Sequence, residues 1–269
     1  MDKSLRRELF NQGKEWILNA GKMIRDKINE PVIVNTKSSP HDLVTETDKM
    51  TEKYLVDCIR KTYPDHLIFS EEGYGDKVSD LNGTVWIIDP IDGTMNFVHL
   101  KKDFAISIGI FHQGIGEIGF VYDVMADVLY SASKNEGAYK NGRLLETLSD
   151  SIRLEDSIFA FNHDLLCSNP IFDRKIIEDL LNHIRSARII GAASLDIINV
   201  AEGRINGYIS NGLSPWDVAG SYVILREVGG VATRNDGQEI NMLENGTVVA
   251  CNGKIHDKVI DKYLKYWYK

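Results

Sequence analysis

The feature that most constrains this chain is a set of acids at the end of an apolar segment. Residues 84–88 (Thr-Val-Trp-Ile-Ile) are apolar and β-branched, which predicts a fully buried strand. The next six residues are Asp89-Pro90-Ile91-Asp92-Gly93-Thr94. Because a buried strand leads directly into them, we expect the two aspartates to lie at the rim of a sheet.

Two further acidic segments lie elsewhere in the chain: Glu71-Glu72 upstream, and Trp216-Asp217-Val218-Ala219-Gly220 far downstream. If these acids meet Asp89 and Asp92, each pair of like charges about 4 Å apart costs on the order of 4 kcal/mol at an effective dielectric of about 20. A hard divalent cation with oxygen ligands removes that cost, and Mg²⁺ is the usual ion at sites that handle phosphate. The pattern therefore indicates a magnesium site.

Composition excludes several classes of protein. The net charge of −8 over 269 residues argues against a nucleic-acid-binding protein, since phosphate backbones are held mainly by excess Lys and Arg. A small anionic substrate stays compatible, because bound metal ions reverse the field locally. Three cysteines without paired spacing favour a reducing compartment and no disulfide or zinc site. With no apolar run of about 18 residues, we expect a cytoplasmic protein without a membrane partner.

Hydrophobic periodicity predicts an α/β protein made of two closely packed parts. Residues 4–29 have the pattern of a long amphipathic helix, a polar loop follows at 35–42, and a second helix begins after Thr47-Asp48. Residues 104–132 alternate as an antiparallel meander. Beyond a polar stretch at 146–156, strands and helices alternate, which is typical of an α/β layer. We expect parts at residues 1–150 and 151–269, each contributing to one active site.

Five segments together resemble the motif set of the inositol monophosphatase family, in its order and at about its spacing. They are Lys37-Ser38-Ser39-Pro40, Asp42-Leu43-Val44-Thr45-Glu46-Thr47-Asp48, Phe69-Ser70-Glu71-Glu72, the Asp89–Thr94 motif and the Trp216–Gly220 motif. The resemblance implies a five-layer αβαβα sandwich that hydrolyses small phosphomonoesters with two or three Mg²⁺ ions. It also implies a homodimer and frequent inhibition by Li⁺.

The resemblance also assigns roles to individual residues. The implied metal ligands are Glu71, Asp89, the carbonyl of Ile91, Asp92 and Asp217. Thr94 and Glu71 would hold the attacking water, with Asp48 orienting Thr94. The implied substrate contacts are Asp92, Gly93, Thr94, Gly191, Ala192, Ala193 and the position of Ser210, and Lys37 would approach the metals from its loop. Physical chemistry agrees on one point, since backbone N–H groups at a Gly-Thr helix start bind phosphate.

Several of these residues have plainer interpretations that stay open from sequence. Asp89 and Asp92 are compatible with an Asp-Gly turn, and Thr94 with a simple helix N-cap. Asp48 is also a good cap for the helix that follows it. Gly191-Ala192-Ala193-Ser194 suits a tight strand-to-helix turn, and Lys37 suits a solvated loop.

The chain departs from the family at Ser210. Inositol-specific members carry a Glu seven residues before the Asp of the Trp-Asp motif, where this chain has Ser210. A neutral side chain loses a charge-assisted hydrogen bond to the polyol, and such bonds are worth about 1.5–3 kcal/mol. Fructose 1,6-bisphosphate, 3′-phosphoadenosine phosphates and NADP(H) are therefore alternative substrates. A metal- or phosphate-binding regulator on the same fold is the non-enzymatic alternative, since fold and function are separable.

Overall fold

The computed structural model describes residues 1–30, 34–36, 43–167 and 173–267. The helices within these ranges are α1 Lys3–Lys27, α2 Glu46–Thr62, α3 Thr94–Leu100, α4 His163–Leu166, α5 Arg174–His183, α6 Ala193–Ala201, α7 Pro215–Glu227 and α8 Gly253–Lys262. The strands are β1 Val34–Thr36, β2 Leu43–Thr45, β3 Leu67–Ser70, β4 Thr84–Asp92, β5 Ala105–His112, β6 Ile115–Asp123, β7 Val128–Ser133, β8 Ala138–Lys140, β9 Arg143–Leu144, β10 Ile158–Phe161, β11 Ser186–Arg188, β12 Gly207–Leu213, β13 Gly230–Thr233 and β14 Gly246–Asn252.

These elements stack in five layers, which confirms the predicted αβαβα sandwich. Helices α1 and α2 cover one face of a seven-stranded sheet, ordered β3-β4-β5-β6-β7-β8-β9. Helices α6 and α7 lie between that sheet and a five-stranded sheet, ordered β11-β10-β12-β14-β13. Helices α5 and α8 cover the outer face of the second sheet.

The strand pairing follows the predicted division of the chain. The meander expected at residues 104–132 is confirmed as β5, β6 and β7, which pair in antiparallel fashion. In the second sheet, β10 pairs in parallel with β11 and β12, and β14 runs antiparallel to its neighbours. The polar stretch at 146–156 separates β9 from β10, and the two-part division at residue 150 stays a prediction.

Helix α2 begins where its sequence provides a cap. Thr45 is the N-cap residue, and Thr45 and Asp48 satisfy each other's backbone N–H groups in a capping box. The helix buries Leu55, Val56 and Ile59 against the seven-stranded sheet. The helix thus presents one face to the sheet and carries Asp48 on its first turn.

One predicted boundary differs from the structure. Residues 35 and 36, expected in a loop, belong to β1, while the rest of that loop, including Lys37, lies outside the described residues. The last helix ends at Lys262, and Tyr263 and Trp267 beyond it are buried in the core.

Helix α7 approaches the seven-stranded sheet closely because small residues line the contact. A Cβ built on Gly220 would lie 2.5 Å from the carbonyl oxygen of Phe120, and one on Gly109 would lie 2.7 Å from the Cβ of Ala219. Only glycine permits such an approach. This contact, two to three residues after Asp217, holds the start of α7 beside the first sheet.

Two further findings concern the chain as a whole. No helix in the described ranges is long and apolar enough to cross a membrane. Cys58, Cys167 and Cys251 are free cysteines, which agrees with the expectation of no disulfide.

Candidate metal centre and phosphate site

A β-bulge places the two aspartates of the central motif on the same side of β4. The strand was expected to end before Asp89, but it continues through Asp92. Asp89 lies opposite Ser107 and Asp92 opposite Ala105, so three steps along β4 match two along β5. Since side chains alternate along a regular strand, residues three apart would face opposite sides, and the extra residue reverses this. Proline is tolerated at such a bulge.

Three predicted metal ligands meet at this point. Asp89, Asp92 and Asp217 each offer a carboxylate oxygen, and these oxygens all lie within 4.8 Å of one another. Asp89 is only 1% exposed. The charge of Glu71 acts on all three. The end of β3, the bulge of β4 and the first turn of α7 therefore assemble one acidic cluster, and the plain Asp-Gly turn does not describe it.

The electrostatics of this acidic cluster favour a bound cation. Burial, followed by the charges of Glu71, Asp92 and Asp217, raises the pKa of Asp89 well above its usual range. Burial and the charge of Asp92 also raise the pKa of Asp217. For Asp92, burial raises the pKa to about 6, although hydrogen bonds from Ser194 and Ala193 oppose the shift. Without a cation, burial and mutual repulsion therefore favour the protonated forms of these acids.

The donor set fits a hard divalent ion. All four acids offer oxygen, and no Cys or His belongs to the group of clustered metal-ligating side chains found among the described residues. Ile91 buries its side chain in the core below the seven-stranded sheet, leaving only its backbone carbonyl for a ligand. Oxygen-only sets of this kind suit Mg²⁺ rather than zinc.

Thr94 is held by Asp48, as the resemblance implies. The Thr94 hydroxyl lies 3.3 Å from Asp48 Oδ1 and 3.1 Å from the carbonyl oxygen of Ile91, and its single proton is donated to one or the other. Gly93, with φ of +88°, is the N-cap of α3, so the interpretation of Thr94 as that cap is wrong. Asp48 also accepts a hydrogen bond from the N–H of Thr45 at 2.9 Å, so it serves as a cap residue too.

Burial determines the acidity of Asp48. Its side chain is fully buried, and this raises its pKa to about 6, while hydrogen bonds from Thr45 act in the opposite direction. Glu71 contributes a smaller increase. Asp48 is therefore electrostatically coupled to the acidic cluster while its oxygens hold Thr94 and Thr45.

The turn at residues 191–193 lies beside the central motif. Asp92 accepts hydrogen bonds from the N–H groups of Ala193 (3.1 Å) and Ser194 (2.7 Å) at the start of α6. A Cβ on Gly93 would lie 2.9 Å from the Cβ of Ala192, which explains glycine there as well as its positive φ. This tight turn borders Asp92 and Gly93, and the predicted substrate contacts of Gly191, Ala192 and Ala193 stay a prediction.

The two remaining predicted contacts are Ser210 and Lys37. Ser210 is 0% exposed, and a register shift follows it in the pairing of β12 with β14. Its hydroxyl donates a hydrogen bond to the carbonyl oxygen of Asn211 at 3.5 Å. Ser210 is therefore buried in this conformation, and a substrate contact at position 210 stays a prediction. Lys37 lies outside the described residues.

The sequence analysis missed two buried acids near the site, Glu52 on α2 and Asp196 on α6. Burial, followed by the charge of Asp92, raises the pKa of Asp196 to about 8. Its Oδ1 has no hydrogen-bond partner in the described part of the chain. The sequence held a signal for both: Glu52 falls on the apolar face of α2, and Asp196 is the only charged residue of the largely apolar helix α6.

Comparison with known proteins identifies relatives along nearly the whole chain. The model of the inositol monophosphatase family matches residues 5–268. An inositol-1-monophosphatase of Bacillus subtilis is 46% identical, covering 96% of this chain and 97% of the relative. A fructose-1,6-bisphosphatase/inositol-1-monophosphatase of Thermotoga maritima is 35% identical, covering 84% of each chain. Nus factor SuhB of Escherichia coli is also 35% identical, covering 88% of each.

Solved structures agree with this. Inositol monophosphatase II of Staphylococcus aureus bound to inositol monophosphate has a TM-score of 0.87 at 39% identity, covering 96% of this chain and 94% of that one. The complex of the same protein with 2′AMP has a TM-score of 0.88 at 40% identity, covering 96% of this chain and 95% of that one. An IMPase/NADP phosphatase complexed with Mg²⁺ and phosphate has a TM-score of 0.89 at 28% identity, covering 98% of this chain and 99% of that one. A LiCl-soaked inhibitory complex of staphylococcal inositol monophosphatase-1 has a TM-score of 0.88 at 29% identity, covering 97% of this chain and 95% of that one.

The family match, the high identity across nearly the whole chain and the shared fold lead to one conclusion. This chain belongs to the inositol monophosphatase family and is a phosphomonoesterase.

Proposed function

We propose that this chain hydrolyses small phosphomonoesters with Mg²⁺ ions held by Glu71, Asp89, Asp92, Asp217 and the carbonyl of Ile91. The observation that carries the proposal is the convergence of three carboxylates within 4.8 Å beside the Gly93-Thr94 turn. When bound, two or three Mg²⁺ ions would supply Lewis-acid stabilisation of the phosphate and of the leaving oxygen, and would lower the pKa of water.

Thr94 and Glu71 position the attacking water in this proposal. The single proton of the Thr94 hydroxyl is directed to Asp48 or to the carbonyl of Ile91. Its oxygen is therefore left as an acceptor for a water proton. Glu71 accepts the other proton of that water and orients a lone pair towards phosphorus. Asp48 thus acts through Thr94 rather than on the substrate.

The turn of Gly93 and Thr94 binds the ester phosphate, and the turn at Gly191, Ala192 and Ala193 contacts the alcohol portion. The hydrogen bonds from Ala193 and Ser194 to Asp92 support this, because they hold the second turn against the first. A substrate bridging both turns would place its phosphorus next to the acidic cluster.

Inositol monophosphates are the first candidate substrates, given the 46% identity to an inositol-1-monophosphatase. A second candidate is a sugar-nucleotide phosphate, such as the 2′-phosphate of NADP(H) or a 3′-phosphoadenosine compound. The neutral, buried Ser210 favours it, since no acid at that position repels a second phosphate. Fructose 1,6-bisphosphate is a third candidate on the same ground.

A substrate panel tests the proposal. Phosphate release is measured from inositol 1-phosphate, 2′-AMP, NADP⁺, 3′-phosphoadenosine 5′-phosphate and fructose 1,6-bisphosphate, first with EDTA and then with Mg²⁺ restored. We expect at least one ester to be hydrolysed only with Mg²⁺. Failure to hydrolyse any of them under both conditions would favour the non-catalytic alternative, a metal- or phosphate-binding regulator.

Three finer predictions accompany the proposal. A cytoplasmic location is supported by the three free cysteines. A homodimer is supported by Leu100 and Ile189, which are more than half exposed and belong to segments joined by the Asn96–Ile190 hydrogen bond; light scattering would measure the mass. Inhibition by Li⁺ is supported by the LiCl-soaked relative, and activity against increasing LiCl would test it.

A further inference from the structure

Glu52 is a buried acid on α2 with three hydrogen-bond donors around it. Its Oε1 accepts from the Ser70 hydroxyl at 2.7 Å and from the N–H of Tyr74 at 2.8 Å. Its Oε2 accepts from the N–H of Glu72 at 2.6 Å. All three donors belong to residues 70–74, the segment that carries Glu71 from the end of β3.

These hydrogen bonds hold the backbone on either side of Glu71. The N–H of Glu72 belongs to the peptide group that directly follows the Cα of Glu71, and the Ser70 side chain lies directly before it. Ser70 and Glu52 are both buried. The Glu52 carboxylate thus fixes the peptide plane from which the Glu71 side chain extends.

Glu52 has no cation to balance it among the described residues. A buried carboxylate persists only when its oxygens are hydrogen-bonded or paired. Every hydrogen bond recorded for the carboxylate of Glu52 comes from residues 70–74. The segment and the carboxylate therefore stabilise each other, and a shift of one would leave buried polar groups of the other without partners.

Helix α2 holds a second functional side chain in the same way. Asp48 lies four residues before Glu52, and both are fully buried, so they share one face of the helix. Asp48 accepts the hydrogen bond of Thr94, while Glu52 holds the segment of Glu71. The rigid spacing of one helical turn therefore sets Thr94 and Glu71 relative to each other.

We propose that Glu52 is a positioning residue of the metal centre: it anchors the Glu71 segment to α2 so that the Glu71 carboxylate reaches the acidic cluster. The inference rests on the proposed function of that cluster as a Mg²⁺ site. It predicts that a change at Glu52 weakens Mg²⁺ binding although no ligand is removed.

The test is the nearly isosteric variant Glu52→Gln, titrated with Mg²⁺ by calorimetry after removal of metal with EDTA. Gln keeps an acceptor for Ser70 and Tyr74 but turns an NH₂ group towards the N–H of Glu72, so two donors oppose each other. We expect the Kd for Mg²⁺ to rise about 10- to 100-fold, as is typical when a residue supporting a ligand is changed. The variant kcat should fall as well, with KM for the ester within about twofold at saturating Mg²⁺.

The matched control is Tyr130→Phe. It removes a hydrogen bond from a buried tyrosine to a carboxylate, that of Glu202 at 2.8 Å, outside the acidic cluster. We expect a lower Tm and an unchanged Kd for Mg²⁺. If Glu52→Gln does not fold, Ser70→Ala replaces it, removes one of the three donors, and should raise the Kd about 2- to 10-fold.

Two results would overturn the inference. One is a Glu52→Gln protein whose Tm falls but whose Kd for Mg²⁺ equals that of the wild type, since Glu52 would then be only structural. The other is a folded Ser70→Ala protein with an unchanged Kd, where Glu52→Gln cannot be obtained. A wild-type protein that binds no Mg²⁺ at all would instead remove the proposed function itself, and this inference with it.

Discussion

Asp92 on β4 accepts a hydrogen bond from the backbone N–H of Ser194 at 2.7 Å, although the two residues are 102 positions apart. Asp92 thereby satisfies the free N–H groups at the start of α6, where Ala192, the N-cap residue, has no side chain to do so. A negative charge at a helix N-terminus is favourable. One carboxylate therefore belongs to the acidic cluster and also joins two layers of the fold.

Replacing Asp89 with Asn should abolish turnover without unfolding the protein. The carboxamide removes a charge that burial and three neighbouring acids already oppose, and Asn Oδ1 still accepts the hydrogen bond that Asp89 Oδ1 receives from the N–H of Ile91 at 2.9 Å. We expect kcat to fall by about 100-fold or more and the Tm in EDTA to stay equal or rise. Steady-state kinetics and thermal unfolding measure both. A variant that keeps most of its Mg²⁺-dependent activity would contradict the role of Asp89.

The stabilisation given by Mg²⁺ should grow with pH. The folded-state pKa values of Asp48 and Asp92 are raised to about 6, and those of Asp89 and Asp217 are raised as well. Acids with raised pKa contribute stability that is present below their unfolded value and is lost as pH rises through the folded one. The metal-free protein therefore loses this contribution as pH rises from the unfolded value of 3.8 through the folded values, about 6 for Asp92. Above that range Mg²⁺ would bind ionised ligands without displacing protons.

Thermal unfolding with EDTA and with saturating Mg²⁺ at about pH 5.5 and about pH 7.5 measures this effect. We expect the increase in Tm caused by Mg²⁺ to be larger at the higher pH. An increase that is the same at both values would mean that the cluster does not exchange protons for metal.

Replacing Ser210 with Glu should shift substrate preference towards inositol phosphate. The added carboxylate restores a charge-assisted hydrogen bond to the polyol, and we expect the ratio of kcat/KM for inositol 1-phosphate over NADP⁺ to rise about 10-fold or more. Because Ser210 is fully buried, the longer side chain must turn outwards, so we also expect a lower Tm. Ser210→Ala is the control and should leave the ratio unchanged. If the ratio of kcat/KM values is unchanged in Ser210→Glu, position 210 does not determine substrate preference.

Lowering the pH should destabilise the packing of Tyr63, His66 and Trp86, because His66 gains a proton. The indole N–H of Trp86 donates to His66 Nδ1 at 3.0 Å, and the ring of Tyr63 stacks on His66. Burial lowers the pKa of His66. A lowered folded-state pKa gives stability that is present above the unfolded value near 6.5 and is lost as pH falls below it.

His66→Gln tests this, because Gln keeps an acceptor but does not titrate. The fall in Tm between about pH 7.5 and about pH 5.5 should be smaller in the variant than in the wild type, measured in EDTA in both cases. Equal falls would assign the acid sensitivity to other groups.

The acids of the motifs could be predicted from sequence because each directly follows or begins a recognisable element. Asp89 lies near the end of a buried strand, and Asp217 lies on the first turn of helix α7. The bulge of β4 could not be predicted, since simple alternation would place Asp89 and Asp92 on opposite faces. The capping of α6 by Asp92 could not be predicted either, because it joins residues more than 100 positions apart and periodicity describes only local structure.

The buried acid Glu52, which lies outside the motifs, could be predicted from the hydrophobic periodicity of α2. Asp48, Glu52, Leu55 and Ile59 share one helical face, so an acid stands where a core residue is expected. Such a misplaced acid predicts burial with hydrogen-bond partners. Its partners on residues 70–74 are visible only in the folded chain.

The late position of α7 in the chain has a consequence for the order in which the acidic cluster is assembled during synthesis. Asp217 lies on the first turn of this helix, whereas Asp89 and Asp92 belong to β4 and Glu71 directly follows β3. A growing chain on the ribosome exposes those three acids long before the fourth is synthesised. If these acids hold Mg²⁺ as proposed, metal loading is a late event in biogenesis, and a truncated translation product would carry three of the four acids without retaining the ion.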